Sequence, residues 1–85
     1  MLSVKHEDFA VNRAFYVKAL AMADRHIAQG NGIIVKQRGI IVRLHACGGD
    51  STFAEELLVT FLTSQQLHED DRQRFASKLA NLGDK

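Results

Sequence analysis

The chain has 85 residues, of which 46% are hydrophobic and 25% charged, with a net charge of +1 and a single cysteine. These values belong to a globular chain, not a disordered one; they exclude an intrachain disulfide scaffold and give no bulk charge with which to recruit nucleic acid. A chain this short makes one domain over residues 1–85 and buries only about 60–65% of the surface its unfolded form exposes, so its margin of stability is thin. Met1–Glu7 lacks an apolar core of signal-peptide length, and no run approaches the roughly 18 apolar residues that span a bilayer. The chain is expected in the cytoplasm, free of any membrane.

From His6 to Gln29 there is no Gly or Pro, and Gly30-Asn31-Gly32 then reads as a stop, so the first element is a long helix. At 100° per residue Val11, Phe15, Ala19 and Met22 form one apolar stripe. Phe9, Tyr16, Leu20, Ala23 and Ile27 form a second beside it, and only the sector of Arg13, Lys18, Asp24 and Arg25 is polar. So much apolar circumference needs cover on two sides, and the surplus points to a subunit interface.

Gly32-Ile33-Ile34-Val35-Lys36 recurs seven residues later as Gly39-Ile40-Ile41-Val42-Arg43. Two β-branched runs around a Gly-containing turn predict a two-stranded antiparallel hairpin. A turn at Arg38-Gly39 would pair Gln37 with Ile40, Val35 with Val42 and Ile33 with Leu44 on an apolar face. The other face would carry Ile34, Lys36, Arg38, Ile41, Arg43 and His45, and it is basic because no acid falls between Asp24 and Asp50. Residues 1–49 hold seven Lys/Arg against three acids, and residues 50–85 hold four against seven. The basic charge therefore gathers on the hairpin.

Gly48-Gly49 ends the second strand, one of Asp50, Ser51 and Thr52 caps the next helix, and Thr52 with Glu55 has capping-box spacing. This second helix is expected to run to about Leu62, burying Phe53, Leu57, Leu58, Phe61 and Leu62. A third is expected from Ser64, or from nearer Glu69, to Leu82, with Gly83 as its stop.

Signals for chemistry are sparse. His45 and Cys47, two apart on a strand, would share a face as a base and a thiol nucleophile, yet no family-specific surroundings accompany them. A zinc site there would need two more ligands, with only His26 and Asp50 in reach and no CxxC or HxxxH spacing. His6 and His68 read as solvated or capping residues at helix starts. At Gly48–Thr52 the acids Asp50, Glu55 and Glu56 fill the place an anion would take, and the lysine of a phosphate loop is missing.

The sequence thus leads to an α+β domain of order α-β-β-α-α, without catalysis, cofactor or metal. A lone hairpin with aliphatic edges is hazardous, so a homodimer is expected. The function expected is that of a small regulator or inhibitor that binds a partner protein through Ile34, Lys36, Arg38, Ile41, Arg43 and His45. The alternative is a nucleic-acid-binding regulator that uses the same basic ribbon.

Overall fold

The computed structural model describes the backbone of residues 2–83 and the side-chain exposure of residues 11–82. It contains two helices, α1 (Leu2–Ala46) and α2 (Thr52–Gly83), joined by a five-residue turn. They lie antiparallel, as a rod of 69 × 17 × 14 Å. The architecture is all-α, and the described residues contain no strand. The α+β reading, the hairpin with its register, and the break between a second and a third helix are all overturned. Residues 30–46 continue the first helix, and one helix runs unbroken from Thr52 through Leu62 and Ser64 to Gly83.

The repeat that suggested two strands is a heptad. Seven residues make nearly two helical turns, so equivalent positions of the two copies fall on one face. Writing the repeat abcdefg with Ile34 and Ile41 at a, the a and d positions of α1 from Leu20 onward are Leu20, Ala23, Ile27, Gly30, Ile34, Gln37, Ile41 and Leu44. Every one of them is buried or half-buried. On α2 the same spacing runs through Ser51, Ala54, Leu58, Phe61, Gln65, His68, Arg72, Phe75, Leu79 and Leu82, and only Arg72 is exposed. Two such stripes facing one another give knobs-into-holes packing.

Three glycines, which ordinarily end helices, lie within α1. Gly30 sits in the seam, where an added Cβ would come within 1.9 Å of Gln65 Oε1; Gly32 and Gly39 face open space. No proline interrupts the chain. The continuous stripe therefore outweighs a helix penalty of about 1 kcal/mol per glycine and the modest preference of Ile and Val for strands.

At the turn, Gly48 N–H donates to the His45 carbonyl and Gly49 N–H to the Leu44 carbonyl, at 3.2 and 2.8 Å. This is a Schellman motif, with Gly48 in the left-handed region at φ 71°. Ser51 is the N-cap of α2, since its carbonyl accepts the first helical bond from Glu55 N–H at 2.9 Å. The expected Thr52–Glu55 capping box is replaced by a bond from Ser51 Oγ to Glu55 Oε2.

The seam is narrow. Among the described apolar residues only Ala23, Ile34, Ile41 and Ala54 are buried. Of the side chains expected to be covered, Phe53 and Leu62 are exposed on α2, as are Val11, Phe15 and Met22 on α1. Phe9 and His6 lie outside the residues whose side chains are described.

Candidate functional site: the flanks of the helical hairpin

In an antiparallel pair the g positions of one helix border the g positions of the other, and e borders e. The two flanks differ. On the g flank α1 presents Ala19, His26, Ile33 and Ile40, and α2 presents Leu57, Ser64 and Asp71. On the e flank stand Val17, Asp24, Asn31, Arg38 and His45 of α1 with Glu55, Leu62, Glu69 and Ala76 of α2. The adjoining c positions on the g side add Phe15, Met22, Phe53 and Leu67, all exposed.

Two hollows open on the g flank and share His26 and His68. One, of about 200 Å³, is lined by those histidines with Gln29, Gly30, Ile33, Phe61, Ser64 and Gln65. The other, of about 190 Å³, lies against Ala19, Met22, Ala23, Asp71 and Phe75. Together they form one groove with the two imidazoles at its middle, their ring centroids 5.0 Å apart. At its open end Phe15, Tyr16 and Phe75 meet edge-on or tilted, with centroids 5.1 to 6.4 Å apart.

Polar side chains fix the register of the seam. Gln65, on α2, donates from Nε2 to the Ile27 carbonyl at 2.9 Å and to Asn31 Oδ1 at 2.8 Å, reaching across through the space that Gly30 leaves. Gln37 makes the reciprocal reach from α1, donating to the Ala54 carbonyl at 2.8 Å. Arg72 pairs with Asp24 on the exposed flank. A buried amide bonded to the opposite helix tolerates no slip of a turn without losing partners.

The residues singled out from the sequence do not form one face. Ile34 and Ile41 are in the seam. Lys36 and Arg43 occupy c positions beside the groove, whereas Arg38 and His45 occupy e positions about 160° away around α1. Arg38 and Ile41 share a third hollow, of about 310 Å³, with Val42, Glu55 and Leu58 on the e flank. His45 Nε2 lies 2.9 Å from Ser51 Oγ, whose proton is directed to Glu55, so the imidazole donates and the serine is not activated. Cys47 is exposed, and two positions along a helical turn place it far around from His45, so the shared strand face is absent.

Asp50 accepts from Thr52 N–H at 3.0 Å and from Thr52 Oγ1 at 2.7 Å. The backbone bond first, and the hydroxyl second, hold its carboxyl below the ordinary value of 3.8.

The groove and Gln65 escaped sequence reasoning, and His26 and His68 were read apart, one as a zinc donor toward His45 and Cys47 and the other as a solvated or capping residue, although a signal was present. Extending the seven-residue step back from Ile34 through Ile27 to Leu20 would have exposed the heptad. No helix among the described residues is long and apolar enough to cross a membrane. No protein-family model, curated protein or solved structure matches the chain.

Proposed function

We propose that this chain is a non-catalytic association module: a helical hairpin that pairs with a second copy along its g flank, and acts by binding a partner protein through what the pair leaves exposed. The observation that carries the reading is surface. A globular chain of 9.5 kDa exposes about 5,000 Å². This one exposes 6530 Å², an excess of about 1,500 Å² per chain, which falls within the range that obligate homodimers hide. The choice of flank follows from chemistry, because Ala19, Ile33, Ile40 and Leu57 stand at g positions with Phe15, Met22, Phe53 and Leu67 beside them, whereas on the e flank the charged or polar Asp24, Asn31, Arg38, His45, Glu55 and Glu69 outnumber Val17, Leu62 and Ala76. Covering that flank with its equivalent from a second copy makes a four-helix bundle, the usual way for two-helix hairpins to complete a core.

The nucleic-acid reading draws no support from the arrangement of charge. Lys36 and Arg43 remain a basic pair beside the groove, while Arg38 and His45 stand on the far side of α1. At c positions beside the groove, Lys36 and Arg43 would rim the paired flank, where their charge stays in solvent and can meet an acidic partner protein.

Sedimentation equilibrium at tens of micromolar tests the pairing. The expected mass is that of two chains. Ile33→Asp, at a position 46% exposed, should give single chains, and Val35→Asp on the other side of α1 should not. A wild-type chain that sediments alone, or an Ile33→Asp variant that still pairs, overturns the reading.

A further inference from the structure

His26 comes from α1 and His68 from α2, and their ring centroids lie 5.0 Å apart with planes inclined by 47°. Two imidazoles that bind one tetrahedral ion, each nitrogen about 2.0–2.1 Å from the metal, hold their centroids roughly 5 Å apart. We propose that His26 and His68 form a bidentate site for a borderline divalent transition metal, of the class of Ni²⁺, Cu²⁺ and Zn²⁺, which ties the middle of α1 to the middle of α2.

Three further observations bear on it. The one imidazole hydrogen bond among the described residues is that of His45, so neither ring of the pair is already engaged. Neutral imidazole is a preferred donor for these ions and a poor one for Mg²⁺ or Ca²⁺, which sets the class. Gln65, one turn before His68, is 6% exposed, and its Oε1 is buried without a partner. Gln65 lines the same 200 Å³ hollow as both rings and Ser64. No third His, Cys, Asp or Glu converges on the pair among the described residues. Water therefore completes the coordination, and the hollow is large enough for several molecules.

Both rings belong to one chain, so the chelate needs no second copy, and it lies on the same flank that is proposed to pair. Its position also gives it a consequence. An ion that binds only the folded hairpin raises the melting temperature progressively with concentration, as linkage requires.

The test uses Ni²⁺ as the probe, with melting temperature and equilibrium dialysis read on the wild-type chain, His26→Asn, His68→Asn, and His45→Asn as a control. Wild type and His45→Asn should rise in melting temperature with Ni²⁺, and the rise should reverse with a chelator. Each of His26→Asn and His68→Asn should lose the whole rise and bind Ni²⁺ at least tenfold more weakly. If either variant retains about half the bound metal, the rings act as independent ligands and the chelate is overturned; no wild-type binding overturns it as well. Circular dichroism at the dialysis temperature, showing His68→Asn as helical as wild type, keeps the result independent of any loss of stability in that variant. Failure here leaves the sedimentation result untouched.

Discussion

The three glycines of α1 have identical side chains and different surroundings, which makes them a residue-scale test of the helix. Gly32 and Gly39 occupy f positions, and a Cβ at either meets nothing within 4 Å. Alanine there should stabilise the chain by about 0.5–1 kcal/mol each, through helix propensity alone. A strand, with Gly39 in a turn at positive φ, would respond in the opposite direction. Gly30→Ala should go the other way: its Cβ would displace the Gln65 amide, which then loses Ile27 and Asn31 as partners inside the seam. A stranded buried amide costs about 1–3 kcal/mol, against about 1 gained in propensity, so the expected net loss is about 1 kcal/mol. Urea denaturation of the three variants beside wild type reads all of this; a loss in Gly32→Ala and Gly39→Ala, or a gain in Gly30→Ala, would contradict the assignment of these positions.

At the scale of elements, the parts legible in the sequence were those whose signal is local. The helix from His6 to Gln29, the stop at Gly48-Gly49 and the start near Asp50–Thr52 depend on caps and propensity, and each lies within an observed helix or at its end. The stretch 30–46 was misread because Gly and β-branched residues vote for strand locally, while the deciding contacts lie 17 to 38 residues away on α2. Likewise the third helix expected from Ser64 does not begin there: Ser64 lies within α2, where Thr63 Oγ1 donates back to the Val59 carbonyl. The groove was illegible for the same reason, since it exists only once two distant helices are side by side. Asp50 carries the pH dependence of the turn. Its carboxyl is held below its ordinary 3.8 by the Thr52 bonds, so its contribution is fully present above that value and is lost as pH falls through the lower, folded-state value. Asp50→Ala should melt below wild type at pH 7, and the gap should shrink as pH falls below 3.8 and through the lower, folded-state value. Parallel thermal melts from pH 7 to pH 2 check it; a gap that stays constant throughout would remove the charge from the account.

For the whole molecule, shape is the more discriminating quantity. The radius of gyration is 19.5 Å, whereas a globular chain of this length has about 12 Å. α1 has 45 residues and α2 has 32, so the backbone of α1 outruns its partner by about 20 Å at 1.5 Å per residue. Isolated helical stretches of that length are marginal in water, and the rod is wide enough for only one layer of seam contacts. Both facts favour lateral association over longer rods. Two hairpins packed side by side with axes about 10 Å apart add mass without adding length, and the radius of gyration should rise by less than about 1 Å. Pairing end to end would nearly double it. Small-angle scattering across a dilution series therefore separates the modes: forward scattering should double with concentration while the radius of gyration stays near 20 Å. The Ile33→Asp chain should keep that radius at half the mass, because α1 and α2 still hold each other through Gln37, Gln65 and the heptad seam. A doubled mass with a radius well above 25 Å would place the contact at the rod's ends and take the g flank out of the interface.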